Sequence, residues 1–297
     1  MTSTKQREQP HFTVLSVPAR TPLPASRHGN IEQLTDDVFF VRGRMPTTPK
    51  RPLFARIFLH FSRTMTIIRH QNNQGEYELT LLNTIRLNDA VLAQLEALGT
   101  VKNIVRLGSF HGIDDAFYVQ HYDAEYWIVD GMKSAEGLET TPRLLSETSA
   151  HGTPIPGARI FIFTDIAYPE AVYILPSNES RPGVAISTDS IQNHTSIWDI
   201  DNSLFVSLAI WRIGLLGKAR LGPIWLREQT PRDAETDPKQ NRQQTIVSFF
   251  RPKFERLVSD FDFDILVSGH GWPIRSNAKS AVRDSMNTQL AIPSDKA

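Results

Sequence analysis

The sequence predicts an α/β fold, an αββα sandwich of two mixed sheets with helices outside, and three observations carry that expectation. The regular part of the chain begins with consecutive strands. An amphipathic helix then separates the third strand from a short buried one, and the closing unit runs helix, strand, helix. Strands joined by tight turns pair antiparallel and strands joined through helices pair parallel, so this order implies mixed sheets and not one doubly wound parallel sheet.

Taken in order, VFFVRG (38–43) reads as a strand, and TMTIIRH (64–70) and YELTLLNTI (77–85) read as a hairpin around the turn-forming NNQG. In LNDAVLAQLEALG (87–99), Asn88 can cap a helix, Val91, Leu92, Leu95 and Leu98 recur at helical spacing, and Gly99 can end it in the left-handed conformation. VKNIVRL (101–107) is a short buried strand that delivers the chain into GSFHGIDDAFY (108–118). AEYWIVDG, ARIFIFTDI and EAVYIL supply three more strands, and the turn SNESRPG leads into GVAISTDSIQNH (183–194). The last unit is helix VSFFRPKFERLVSDF, strand DILVSGHG and a helix from Asn277 onward.

Two segments call for a choice. The first thirty residues are polar, carry prolines and lack a sustained apolar run, so they read as a loosely ordered arm before a single domain spanning 31–297. Residues 202–226 are mostly apolar but are interrupted by Arg212, Lys218, Arg220 and glycines, whereas a membrane span needs about 20 apolar residues with few charges. They read as one or two core helices with a Gly/Pro break, in preference to an interfacial membrane helix, with Trp198, Trp211 and Trp225 packed in the core in preference to roofing the pocket.

Composition narrows the function classes. Lys plus Arg and Asp plus Glu are both 32, so whole-chain charge gives no pull toward nucleic acid or an anionic surface, and a small-molecule substrate or ligand is the expected partner. The chain has no cysteine, which excludes disulfides, thiolate nucleophiles and cysteine metal sites. With neither a signal peptide nor a spanning segment indicated, the expected location is the cytoplasm. No glycine pattern that would cradle a dinucleotide phosphate is present.

Three pieces share one property: polar residues stand just after a short apolar strand. They are IVRLGSFHGIDD with His111, Asp114 and Asp115, VAISTDSIQNH with Asp189 and His194, and ILVSGHGWP with His270. Strand ends hold side chains firmly, and imidazole mixed with carboxylate is a ligand set that suits zinc, iron or manganese. Gly269 and Gly271 flank His270 and permit a sharp turn after its strand. Glu170, just before a strand, is an additional oxygen donor to weigh against a solvated carboxylate, and His194 is a contact at the edge of the site or a helix cap. His121 follows Asp115 by six residues, about 120° away on a continuous helix, and reads as surface.

The order and strand contexts of these pieces resemble the metallo-β-lactamase superfamily from about Ile31 to the helix after Pro273. GSFHGIDDAFY sits where that family carries H-x-H-x-D-H, ISTDSIQN is similar to its later Asp motif, and VSGHGWP to its terminal His motif. The departures are equally specific. His111 takes the first position and Asp115 the Asp, but Ile113 and Ala116 stand where two histidines belong, and the isolated His expected near EAVYIL is missing. The resemblance therefore implies a branch with a reduced set, His111, Asp115, Asp189 and His270, holding one divalent metal, zinc first and iron or manganese next, or none. With metal, the implied activity is hydrolysis of a small ester, amide or phosphoester, with Asp114 or Asp115 orienting or deprotonating the water. Without it, the chain is a non-catalytic binding or scaffold module on the same fold.

Overall fold

The computed structural model describes residues 25–45, 60–149, 151–230 and 240–292. The first sheet has seven strands in sequence order: β1 (Glu32–Gln33), β2 (Val38–Arg44), β3 (Ser62–Gln71), β4 (Tyr77–Leu82), β5 (Thr100–Arg106), β6 (Glu125–Ile128) and β7 (Arg143–Leu144). Pairing is antiparallel through β4 and parallel from β4 to β7. The switch falls where α1 (Asp89–Glu96) and α2 (Asp115–Tyr122) enter as connections, which is why the strand and helix order was readable in advance.

The second sheet is ordered β13 (Ile265–Ser268), β10 (Val184–Ser187), β9 (Ala171–Leu175), β8 (Arg159–Ile162), with β13 parallel to β10 and the others antiparallel. Its strands are continuous apolar runs because both faces are covered. Tyr173, Leu175, Val184, Ile186, Ile265 and Val267 point into the core shared with the first sheet. Their alternates Val172, Ile174, Ala185 and Leu266 join Phe250, Phe254 and Leu257 of α5 (Gln240–Asp260) and Val282 and Met286 of α6 (Ala278–Gln289) in a second core. A two-stranded ribbon, β11 (Ile191–His194) and β12 (Gly217–Leu221), lies beyond, with α3 (Leu204–Arg212) and α4 (Pro223–Gln229) before and after β12. The arrangement is the predicted sandwich of two mixed sheets.

Local expectations meet mixed outcomes. Asn88 caps α1, its Oδ1 accepting from Val91 N at 3.1 Å. Gly99 does not end the helix as a left-handed cap: Ala97 caps in right-handed geometry, and Gly99, at φ +153°, lets the chain pass the Tyr77 carbonyl, which a Cβ would meet at 2.6 Å. Most of the expected N-terminal arm, residues 1–24, lies outside the described residues. Its end is tied to β2, since Gly29 N donates to the Arg42 carbonyl and Arg44 N to the Arg27 carbonyl. The core-helix reading of 202–226 is corrected: residues 217–221 form a strand paired with β11, and of the three tryptophans only Trp225 is buried, Trp198 and Trp211 being 75% and 60% exposed.

One side chain ties the layers together at the edge that matters. Arg42 of β2 is buried and forms ion pairs with Asp199 at 2.7 Å and Asp201 at 3.3 Å, donates from Nε to the Gly271 carbonyl at 3.1 Å, and lies over the Trp272 ring at 3.9 Å. Removing the guanidinium would strand two carboxylates among buried surroundings. Arg42→Ala is therefore predicted to destabilise the fold by about 3–5 kcal/mol, read as a shift in the denaturant midpoint, while Arg283→Ala at the surface of α6 leaves that midpoint in place.

Candidate metal centre

Three chain segments converge at one end of the sandwich. β10 and β13 run in parallel register, with Ser187 opposite Ser268, so the next residues, Thr188–Asp189 and Gly269–His270, leave the sheet side by side. Gly269 N donates to the Ser187 carbonyl, and Thr64 N donates to the Gly269 carbonyl, which fastens the turn to β3 as well. The loop after β5 arrives from the other sheet through the Gly108–Glu170 bridge and the bond from Ala171 N to the Leu107 carbonyl.

Glycine is required at these approaches. A Cβ at Gly269 would lie 2.8 Å from His111 Cε1, one at Gly108 would lie 2.6 Å from Thr188 Oγ1, and one at Gly271, at φ +86°, would lie 2.0 Å from the Asn193 carbonyl oxygen.

The structure brings His111, Asp189 and His270 together, with one donor atom of each within 4.8 Å of the others. His111 Nε2 lies 3.4 Å from Asp189 Oδ2 and His270 Nε2 lies 3.1 Å from Asp189 Oδ1, with the two rings edge to face at 5.2 Å. Both histidines are buried and Asp189 is partly so. The tautomer of His270 is fixed by its other nitrogen: Nδ1 lies 2.6 Å from the Ser62 carbonyl, which can only accept, so Nδ1 carries the proton. In neutral His270 the Nε2 lone pair then faces a carboxylate lone pair at hydrogen-bond distance. That contact is favourable only with a proton or a cation between the two, and an imidazole held by a carbonyl on its far nitrogen is the usual support of a metal-ligating histidine. Two imidazoles and one carboxylate match the donor chemistry of a zinc or iron site.

The electrostatics follow from burial and proximity. Burial works to raise the Asp189 carboxyl, but the facing His111 and His270 outweigh it and hold the group well below the ordinary carboxylate range. Burial lowers His111 against the pull of Asp189. Glu170, expected as a solvated carboxylate in its bland reading, is 1% exposed and accepts from Ser190 N at 2.7 Å. Burial first, and the charge of Asp189 second, push it up to about 8.

His194 is buried beside His270, the rings 6.5 Å apart and nearly parallel, and bonds Gln192 Oε1 through Nε2 at 3.1 Å. Burial and the neighbouring His270 press it down to about 3, so it is neutral over the working pH range. It sits at the back of His270 and does not cap a helix.

The two aspartates of the opening loop go elsewhere. Asp115 accepts from Thr84 Oγ1 at 2.6 Å and from Tyr126 OH at 2.9 Å, one bond to each oxygen, and is absent from the His111–Asp189–His270 group. Asp114 occupies the N-cap of α2 without a side-chain capping bond, and instead pairs with the buried Arg63 at 3.0 Å. Both therefore fasten the loop to the sheet. Ile113 and Ala116 add no donor. His121 is exposed and stacked on Phe117, as its spacing indicated.

Sequence reading missed Arg63, the Ser62 carbonyl and the Arg42–Asp199–Asp201 group. The signal available was arginine placed within strands beside apolar residues, since a charge at a strand position of that kind is rarely buried unless paired.

Glu170 gives a test of this electrostatic picture. Because its folded pKa is raised from 4.5 to about 8, it contributes stability to the metal-free protein that is complete below pH 4.5 and is lost as pH rises through 8. Thermal stability of metal-free protein is predicted to fall across that window with a slope approaching about 1.4 kcal/mol per pH unit. Glu170→Gln, which keeps the acceptor for Ser190 N, should flatten it; an unchanged slope would refute the assignment.

The sequence matches no family model, and no curated protein matches it. Solved structures do. VMB-1 superposes with a TM-score of 0.54 at 12% identity, covering 88% of this chain and 96% of its own. A metallo-β-lactamase from Pontibacter korlensis gives 0.50 at 10% identity over 89% of this chain and 99% of its own. A mutant flavo di-iron protein from Thermotoga maritima gives 0.50 at 11% identity, covering 87% of this chain and 62% of its own. Together with the two mixed sheets and outer helices, these likenesses show that the chain has the metallo-β-lactamase fold.

Proposed function

We propose that the chain is a metal-dependent hydrolase with a single-cation site built from His111, Asp189 and His270, acting on a small ester, amide or phosphoester. The observation that carries this reading is the convergence of one donor atom each from His111, Asp189 and His270 within 4.8 Å, with His270 Nδ1 committed to the Ser62 carbonyl and its Nε2 turned to Asp189 Oδ1 at 3.1 Å. A divalent cation bound there would supply Lewis acidity, lowering the pKa of a water and polarising the substrate oxygen.

The chain's own residues would do the rest. His111 and His270 offer imidazole nitrogens, and Asp189 an ionised oxygen at working pH. Glu170 holds a proton near neutrality beside Asp189, which suits it to give up that proton and take it back during turnover or, ionised, to add an oxygen donor. Asp115 and Asp114, expected to act on the water, are read here as positioning residues because their oxygens are engaged by Thr84, Tyr126 and Arg63. Zinc fits the donor set first. Iron is the second choice, supported by the flavo di-iron neighbour, and manganese the third. A cytoplasmic setting belongs to the same reading.

The test is metal content and affinity of protein prepared without a metal-binding tag. One equivalent of metal is expected, with Asp189→Asn and His270→Ala each weakening zinc binding by at least about a hundredfold in competition with a chromophoric chelator, at the strong end of what disturbing a ligand and its hydrogen bonds costs. Turnover of esters, lactones or phosphodiesters should fall with the metal.

A second reading, a non-catalytic binding module, is favoured by the diversion of Asp115 to Thr84 and Tyr126, which leaves three donors. Protein that takes up no zinc, iron or manganese, and whose Asp189→Ala variant changes only in thermal stability, would establish that reading and end the first.

A further inference from the structure

We infer that the face formed by α3 and the loop before it is a docking surface for an anionic lipid bilayer. The helix is apolar on both sides. Val206 and Ile210 point inward, where they make a small cluster with Leu215, whereas Leu204, Leu208 and Trp211 point outward and are 57%, 46% and 60% exposed. Trp198 and Ile200 before the helix and Ile213 after it are exposed as well. A helix that turns leucine and tryptophan to solvent needs a partner, because contiguous exposed apolar surface of this kind is rare on a protein that works free in water.

Charge identifies the occupant. Between Trp198 and Leu226 the basic residues are Arg212, Lys218 and Arg220, and the acidic ones are Asp199 and Asp201 alone. Both carboxylates are buried against Arg42, so this segment presents cations without exposed carboxylates of its own: Arg212 ends α3, Arg220 donates to the Gly214 carbonyl just beyond it, and Lys218 donates to the Ser276 carbonyl. A second copy of the chain docking on the same face would set these cations against each other with no acidic counterpart. An anionic headgroup layer answers them instead, while indoles and leucines enter the acyl boundary, the pairing of aromatic and basic residues that characterises interfacial helices. No helix among the described residues is long and apolar enough to cross a membrane, so the contact is with the surface. Arg42 bridges Asp199 to the Gly271 carbonyl, which puts this face next to the turn that carries His270.

Flotation of the full chain with vesicles tests the inference. Binding to phosphatidylcholine mixed with phosphatidylglycerol is expected, with a blue shift of tryptophan emission, and much weaker binding to phosphatidylcholine alone. Arg212→Gln and Lys218→Gln should each lower the partition coefficient by about fivefold, and Leu208→Ala and Trp211→Ala by at least about tenfold. All four positions are solvent-facing, so an unchanged melting temperature certifies that the variants are folded. Failure to float with the mixed vesicles, or equal binding to both kinds, overturns the proposal. So does a dimer in light scattering that Leu208→Glu dissociates, which would assign the face to a second copy. None of these readouts depends on metal or turnover, so the surface and the metal site stand or fall separately.

Discussion

The parallel pairing of β10 with β13 is the constraint on which the rest of the molecule hangs. These strands are separated by about eighty residues of sequence, yet their register, Ser187 opposite Ser268, sends Asp189 and His270 out of the sheet as neighbours. Side-chain alternation along the same strands divides the interior. Val184, Ile186, Ile265 and Val267 face the seven-stranded sheet, and Ala185 and Leu266 face the helices. A one-residue slip would reverse both assignments at once, turning core residues outward and pulling the carboxylate away from the imidazole. Burial on two faces therefore fixes the register, and the register fixes the site.

The site's chemistry is set by what surrounds its three donors. The Ser62 carbonyl accepts the N–H of His270 Nδ1, and His194, held neutral by burial, backs the same ring without adding charge. Glu170 and Asp189 divide one difficulty between them: two buried carboxyls near each other cannot both be anionic at little cost, so Asp189, facing the histidines, keeps its charge and Glu170 keeps a proton. Two arginines complete the frame. Arg63 anchors the loop of His111 through Asp114, and Arg42 anchors the turn of His270 through Gly271. Both come from the first sheet, which therefore braces its own loop of His111 and also the turn of His270 that leaves the second sheet.

The exposed helix shows how a local signal differs from a tertiary one. The apolar spacing of 203–213 specifies a helix, and Ser203 caps it through Val206 N. Spacing does not say which side faces the protein when both sides are apolar. In α3 the smaller face, Val206 and Ile210, packs inward, and the larger residues are left outside. The intervening β12 takes its place through pairing with β11, a long-range event that nothing within 217–221 announces.

What the sequence determined by itself is the order of strands and helices, the mixed sheets, and three strand-end motifs bearing His111, Asp189 and His270. Periodicity, capping and turn residues act over a few neighbours, and those neighbours are all in the sequence. Only the tertiary structure decided that Asp115 bonds Thr84 and Tyr126 and stays out of the cluster, that Glu170 is buried beside Asp189, and that Arg42 and Arg63 brace the loops. These are contacts between residues distant in the chain, where distances of a few tenths of an ångström and loss of solvent select one partner among several of similar chemistry, and that selection has no local trace.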